Sequence, residues 1–405
     1  METNSKHTKI LIISQYFPPD ISGGGTRAYN YAKCLTQKGF DVTVITAHPH
    51  LHSKKSKEYQ FKLIKKEKQQ NFQIIRVWVP SILHSSVFNR IFLHSCFILT
   101  SLIPILFLKP DVIFASEPNL FSIIPAYFYS KIRKGKIIRV VDDMWPEVIY
   151  ERGLAKSIIL KKILDWLARF SYSKSKYILP LTIEAKNYIK TKYLIDEDKI
   201  VVIEHGVDSN IFYKLDKDDL KDFVIMYSGA LVESYNFDMI FDVAKKLKDK
   251  KIKFVIRGKG NQYNYLKKRI KELQLKNVFI DDTLFPEGEI SEQLNQADIF
   301  VVPLKNDKSL NLSLPTKIIE YQAIGKPIIC CSNGAPGNYI ERTKSGIRVN
   351  CEDFEKFYES IEKLHNEPKL CQELGNNGSN FVKNNLTFDK IGKRLEQLIK
   401  SLKNT

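Results

Sequence analysis

The chain has 405 residues, and at roughly 100–200 residues per domain that length predicts two or three domains. Hydrophobic side chains make up 43% of it and charged ones 27%, ordinary globular usage that excludes collagen-like, coiled-coil and largely disordered chains. The charge is lopsided: 63 Lys and Arg stand against 45 Asp and Glu, a net +18, and residues 1–213 hold +13 of it. Such an excess suits an anionic partner, whether nucleic acid, a membrane surface or a phosphorylated substrate.

The opening METNSKHTK runs straight into a strand-like stretch with no apolar signal segment, which points to a protein that is not secreted. Apolar runs at residues 9–14, 41–46, 72–79, 111–115, 136–141, 177–179 and 200–203 alternate with amphipathic segments such as 27–38, closed by Gly39, and 155–174. A polar, acidic stretch near 208–222 reads as a linker. Beyond it, runs at 223–227, 253–256, 277–280, 298–302 and 327–330 repeat the scheme, and a last helical segment, 388–403, has no strand behind it. This alternation predicts parallel sheets covered by helices, and strands with little polar alternation fit burial on both faces. The expected fold class is α/β: two doubly wound Rossmann-like domains, residues 1–207 and 208–386, facing each other across a cleft, with segment 387–405 packing back on the first. Ligands of such sheets sit outside the carboxyl ends of the strands.

Six cysteines show no metal-type spacing. Cys330 and Cys331 end an apolar run, where cysteine serves as a small buried hydrophobe. A reduced, cytoplasmic protein is expected, without a disulfide framework or zinc site.

Two loops after strands stand out. The first leads to Gly23, Gly24 and Gly25 ahead of a helix from about Thr26. Adjacent glycines cost backbone entropy, and open amides at a helix start suit an anion. The segment matches G-x-G-x-x-A at Gly23, Gly25 and Ala28, so a nicotinamide dehydrogenase is one reading. That fingerprint places its first glycine directly at the strand end, however, and here Pro18 and Pro19 intervene. A flexible surface turn is the plain alternative. The second loop leads from the 298–302 run to Pro315-Thr316-Lys317, with Glu320 one turn on and Gly325 as a stop. Amides, helix dipole and the ammonium of Lys317 could together hold a diphosphate, and a carboxylate at Glu320 could accept two ribose hydroxyls. The plain alternative is a Lys317–Glu320 surface pair of ~0.3 kcal/mol.

Asp142 and Asp143 end the 136–141 run, so at least one should face a ligand. Asp143 is the first candidate to orient or partly deprotonate an acceptor hydroxyl; capping of the next turn is the structural alternative. Glu117, after the 111–115 run, is a further candidate. Neither Asp142-Asp143 nor Asp281-Asp282 makes a persuasive metal site. Residues 91–108 carry no formal charge, and 13 of these 18 side chains are hydrophobic. Their length is borderline for a membrane span, but a crossing there would separate two strands of one sheet, so a helix lying at the membrane surface is favoured over a buried core helix or a span. The run 54–68 holds seven lysines, a solvated face that could also touch anionic headgroups at ~1 kcal/mol per basic residue. Aromatic residues do not interleave with these lysines and no groove-reading motif is evident, so nucleic acid is not expected as a partner.

The stretch Pro315-Thr316-Lys317-x-x-Glu320-Tyr321-x-Ala323-x-Gly325-Lys326-Pro327 resembles the signature of family 4 glycosyltransferases of the GT-B fold. Pro18-Pro19 with Gly23-Gly24 looks like that family's opening unit. Asp143-Met144-Trp145-Pro146-Glu147 is similar to the Asp-x-Trp-Pro element of the subgroup that assembles O-antigen and capsule sugars, fucosamine-type transferases included. His205-Gly206-Val207-Asp208 resembles the family's Asn-Gly-Val-Asp turn, with His205 for the Asn. The resemblance implies retaining transfer of a sugar from a nucleotide donor, UDP- or GDP-linked, to a lipid-linked or growing polysaccharide acceptor. No metal or other cofactor is implied, and the protein would sit peripherally at the inner face of the cell membrane. By that analogy Glu320 holds the ribose and Thr316 with Lys317 the diphosphate. Gly23, Gly24, Gly25 and Gly229 let backbone approach the donor, Arg257 supplies a cation, and Glu117, Asp143, Trp145 and His205 lie on the acceptor side. Asp143, Arg257 and Lys317 are the catalytic candidates. The sequence departs from the pattern at Leu312, where a Glu is expected, at Ala230, where an Arg is expected, and in residues 232–237, which lack the expected Lys. A sugar-nucleotide epimerase of the same architecture, or a membrane-associated partner without catalysis, are the other readings.

Overall fold

The structure, a computed structural model, describes residues 8–20, 23–49, 59, 62–69, 71–80, 87–116, 120–215, 222–248 and 250–403. They form two compact units, one running to Glu204 and resuming at Asp389, the other His205–Phe388.

The first unit is built on strands β1 (Lys9–Ile13), β2 (Asp41–Ala47), β3 (Ile64–Gln69), β4 (Phe72–Val77), β5 (Val112–Ala115), β6 (Lys136–Val140) and β7 (Tyr177–Leu179), in the order β3-β4-β2-β1-β5-β6-β7. All neighbours pair parallel except β3 with β4. Its helices are α1 (Gly23–Gln37), α2 (Val87–Leu102), α3 (Ile123–Arg133), α4 (Glu147–Glu151), α5 (Ile158–Lys174) and α6 (Ile183–Tyr193). The second unit has six parallel strands, β8 (Phe223–Ser228), β9 (Ile252–Arg257), β10 (Val278–Asp281), β11 (Ile299–Pro303), β12 (Ile328–Cys331) and β13 (Gly346–Val349), ordered β10-β9-β8-β11-β12-β13. Helices α7 (Asp238–Lys246), α8 (Tyr263–Glu272), α9 (Glu287–Asn295), α10 (Thr316–Ile324), α11 (Ala335–Thr343), α12 (Phe354–Asn366) and α13 (Pro368–Asn385) belong to it. The central strands are buried on both faces, β11 from end to end, as the Ile- and Val-rich runs predict. The final helix, α14 (Phe388–Lys403), lies on the first unit: Lys38 Nζ meets Asp389 at 2.6 Å, and Arg394 donates to Glu204 at 3.0 Å and to the Val202 carbonyl at 2.6 Å.

Two expectations about elements need correction. Residues 200–203 form no strand; Ile200 makes only an isolated bridge to Ile178. Part of the lysine run is instead a strand, β3, whose sequence IKKEKQ is only half-buried. It is an edge strand, where lysines are tolerated and discourage further pairing; Lys54, Lys55 and Lys57 lie outside the described residues. Within 91–108, α2 packs Leu93 and Phe97 fully into the core while Leu99 stays 66% exposed, and the helix gives way to a 3-10 turn at Ile103–Leu106. No helix among the described residues is long and apolar enough to cross a membrane.

The first unit turns on one buried side chain. Arg27 of α1 is 1% exposed, and its guanidinium donates to the Tyr31 hydroxyl (3.0 and 2.7 Å), to Asp142 Oδ1 (2.6 Å) and to the carbonyls of Val141 (3.0 Å) and Ile203 (2.8 Å). A longer contact reaches the Leu179 carbonyl at 3.4 Å. It thus joins α1 to the ends of β6 and β7. Only a planar fork with five donors satisfies this set. Removing it would take from the Asp142 carboxylate its buried guanidinium partner, a loss of about 3–5 kcal/mol for a broken buried pair. All three tryptophans of the chain, Trp78, Trp145 and Trp166, lie in this unit, so urea unfolding followed by tryptophan fluorescence reports on it. Arg27→Met should lower its stability by that amount and Arg27→Lys should recover only part; a loss below about 1 kcal/mol for Arg27→Met would contradict the role.

Candidate functional site

The amino end of α10 and the carboxyl end of β8 form the core of the site in the second unit. Pro315 precedes the first helical residue and Gly325 closes the helix at φ 76°, its N–H returning to the Gln322 carbonyl. Tyr321 fixes α10 to the sheet: its hydroxyl exchanges hydrogen bonds with the N–H (2.7 Å) and carbonyl (2.6 Å) of Ser228, and its ring stacks on Phe300 at 3.9 Å. The Gln322 amide donates to Thr343 and Ser345 and accepts from the Tyr339 hydroxyl. The helix start is therefore set rigidly where an anion can use its amides and dipole.

Lys317 projects from that start and is buried. Its ammonium donates to the Tyr227 hydroxyl at 2.5 Å and lies 3.9 and 4.0 Å from the ring centres of Tyr227 and Tyr235. Tyr235 is brought there by pairing with Leu304 and by the neighbouring bond from the Asn236 N–H to the Pro303 carbonyl, 2.7 Å. Gly229, at φ 147°, makes the room: a Cβ there would stand 2.6 Å from Lys317 Nζ. Gly258, at φ 141°, is required in turn, because its Cβ would fall 1.8 Å from the Gly229 carbonyl oxygen. Burial pulls Lys317 down to about 7, opposed by the Glu320 carboxylate, and the two ring faces also favour its charged form. Glu320 is half-buried one turn along, and burial raises its carboxyl against the pull of Lys317. Thr316 stands at the first position of α10 and is partly exposed. Leu312 sits in the loop ahead of it, its N–H bonded to the Ser309 carbonyl.

Arg257 does not join this group. At the end of β9 it donates to Asp281 (3.2 Å) and reaches the Gln293 carbonyl (3.5 Å), with its guanidinium over the Phe285 ring at 4.9 Å. The β9–β10 register sets Arg257 against Asp281, which directs the cation toward β10 and α9. Spacing in the sequence shows none of these partners.

In the first unit, Gly23–Gly25 form the first turn of α1 itself rather than a loop ahead of it. The paired acids divide their roles: Asp142 is buried on Arg27, whereas Asp143 opens to solvent. The protein around Asp143, then the charge of Asp142, push its carboxyl upward to about 6, with Arg152 opposing. Water reaches the group and screens that shift, so its upward direction is the property the site can use. Trp145 is half-buried, and its indole N–H has no partner among the described residues. Glu147, next in the motif, is buried and accepts from Tyr188 (2.7 Å) and Lys192 (2.5 Å), a structural cluster. His94 of α2 meets Gln15, beyond β1, at 2.7 Å. His205 is buried at the start of the second unit. Glu117 lies outside the described residues.

Sequence reasoning missed Arg27, Tyr227 and Tyr235. Arg27 had a signal, since it shares the buried stripe of Ala28, Tyr31 and Leu35 at helical spacing, and a charge on such a stripe requires partners. The tyrosines had none, because they meet Lys317 only through the fold.

Comparison with known proteins bears on the family and the fold. A family model described as Glycosyltransferase Family 4 matches residues 21–210, and one described as Glycosyl transferases group 1 matches 211–381. The UDP-Gal:alpha-D-GlcNAc-diphosphoundecaprenol alpha-1,3-galactosyltransferase of Escherichia coli is 26% identical over 60% of this chain and 65% of its own length. Among solved structures, sucrose-phosphate synthase from Thermosynechococcus elongatus superposes with a TM-score of 0.78 at 14% identity, over 98% of this chain and 99% of that one. Anabaena HepE in complex with UDP does so at 0.70 and 13% identity, over 97% and 100%. With both halves matched and the two parallel sheets in place, the chain belongs to the family 4 glycosyltransferases and has their GT-B fold.

Proposed function

We propose that this glycosyltransferase moves a sugar, with retention of configuration, from a nucleotide-sugar donor to a lipid-linked or growing polysaccharide acceptor in cell-surface glycan synthesis, at the inner face of the membrane. The observation that carries the donor half is the Lys317 ammonium at the amino end of α10, beside the backbone of Gly229. A diphosphate placed there meets a cation, helix amides and a dipole of the right sign. Glu320, on the same helix face, is assigned to the ribose. The E. coli relative supports the acceptor half, since its name gives a diphosphoundecaprenol-linked substrate, and the UDP complex of HepE supports the donor class.

Bond breaking at the anomeric carbon leaves negative charge on the diphosphate. Lys317 and the start of α10 lie fixed before reaction and stabilise that charge without reorganising. Arg257, held by Asp281, is not assigned to the leaving group, and with Ala230 in place of the family's Arg, Lys317 carries that task largely alone. No metal or other cofactor is invoked. Asp143 is assigned to orienting the acceptor hydroxyl and accepting its proton.

Incubation with bacterial membranes and labelled nucleotide sugars should put label into the lipid fraction. Donor altered without acceptor would instead establish an epimerase, and binding without turnover a non-catalytic partner. In calorimetry at pH 7, Lys317→Met and Glu320→Ala should each weaken nucleotide-sugar binding about tenfold or more, the loss of a charge-assisted hydrogen bond; unchanged affinity for either would remove that assignment. The depressed Lys317 ammonium loses its proton as pH rises through neutrality, whereas the donor's diphosphate stays ionised. Wild-type affinity should therefore fall above pH 7, with proton uptake on binding, and Lys317→Met should lose that fall, leaving only the titration of the raised Glu320 carboxyl. Asp143, raised above the usual carboxylate range, acts as a carboxylate, so transfer should decline on acidification at a higher pH than an ordinary aspartate would give. Asp143→Asn should be slow at every pH while binding donor normally, and an active Asp143→Asn would exclude the role.

A further inference from the structure

The described surface of the first unit carries an apolar stripe that the donor and acceptor assignments do not use. On α5, Ile159, Ile163, Trp166 and Phe170 follow one another at i, i+4, i+7 and i+11, one face of a helix. They do not face the core. Ile159 is 71% exposed, Ile163 53% and Trp166 63%, while Leu164, Leu167 and Ala168 on the opposite face are buried. The stripe continues sideways. The Trp166 ring stacks on Phe170 at 5.4 Å, and Phe170 meets Tyr127 of α3 edge-on at 5.1 Å. Beside Tyr127, α3 exposes Phe128 and Ile132.

Charge lies along the edges of this patch. Lys162 and Arg169 follow one flank of the α5 stripe at helical spacing and make no ion pair among the described residues. Lys174 and Lys131 stand at the other side, over the Phe170 and Tyr127 rings at 6.0 and 5.5 Å. The two helices carry six basic residues and one acid, and that acid, Asp165, is matched by Lys192 at 2.8 Å. A soluble face of this kind exposes aliphatic side chains to water at a cost that something must relieve. Aliphatics with an indole between them, edged by cations on long stems, match a headgroup region: the apolar atoms enter, and ammonium and guanidinium groups remain at the phosphates.

We propose that the outer face of α5, with the adjoining face of α3, seats the protein on an anionic lipid bilayer. The proposal deepens the lipid-linked acceptor reading by naming a docking surface, and it adds α5 and α3 to residues 91–108, where Leu99 and Phe107 are also exposed. Vesicles free of acceptor and donor test it, so it can fail while the transfer reading stands, and the reverse.

The full-length protein should float with phosphatidylcholine vesicles containing phosphatidylglycerol and stay behind with phosphatidylcholine alone. Its tryptophan fluorescence should shift to the blue on anionic vesicles, and Trp166→Phe should lose most of that shift. The double variant Ile159→Glu/Ile163→Glu should partition at least tenfold more weakly while keeping the wild-type melting curve and donor affinity. Lys162→Glu/Arg169→Glu should weaken binding at low salt, with the difference fading at high salt. Wild-type protein that does not float, or an Ile159→Glu/Ile163→Glu variant that floats as well as wild type, would overturn the proposal. So would a wild-type dimer that the same variant converts to monomer in sedimentation without change in flotation, since the face would then be a contact between two copies.

Discussion

Parallel sheets bring the carboxyl ends of their strands to one edge, and that edge exposes backbone groups which must find partners if ligands are to be placed there. Each unit meets this constraint with polar side chains from a neighbouring helix or from the strand itself. In the first unit Arg27 gathers the carbonyls of Val141 and Ile203 with the Asp142 carboxylate. In the second, the Tyr321 hydroxyl takes both backbone groups of Ser228, and the Tyr227 hydroxyl takes the Ala230 carbonyl at 2.6 Å. Once these groups are satisfied, what remains at the edges for chemistry is the exposed Asp143 in one unit and, in the other, the buried Lys317 with the start of α10.

The same device explains why the cations of the second unit are unequal. Arg257 and Lys317 both follow carboxyl ends of strands, yet Arg257 is spent on Asp281 and Phe285. Lys317 is surrounded by aromatic rings and one hydroxyl. Rings favour a positive charge without neutralising it, so its ammonium is retained for an incoming anion, whereas a carboxylate partner would compete with one. Burial at the same time weakens its hold on the proton. A diphosphate would restore that hold, which couples donor binding to proton uptake. Small residues make the arrangement possible: Gly229 and Gly258 stack backbone on backbone beneath the ammonium.

Much of this was legible in the sequence. Strands buried on both faces appear as uninterrupted Ile and Val runs, and eleven of the expected twelve fall on strands of the two sheets. Pro315 and Gly325 mark α10 because start and stop are local chemistry. Legibility ended where partners are distant in sequence. The edge strand β3 reads as a lysine run because an edge needs no apolar face. Asp142 and Asp143 look alike until Arg27, 115 residues away, claims one of them. Arg257 looks like a free cation until the sheet register delivers Asp281. The outer face of α5 repeats at helical spacing like any core stripe, and only the exposure of Ile159, Ile163 and Trp166 shows that it is turned to the surface.

The central claim is that the Lys317–Glu320 turn of α10 receives the donor nucleotide. A crystal structure of the protein with a nucleoside diphosphate tests it most directly. The account predicts phosphate oxygens within hydrogen-bond distance of Lys317 Nζ and the first amides of α10, with the ribose hydroxyls on Glu320. A nucleotide bound elsewhere, for example in the basic groove of Lys245, Lys248 and Lys276 at the opposite ends of the strands, with Lys317 still capped by its tyrosines, would contradict it.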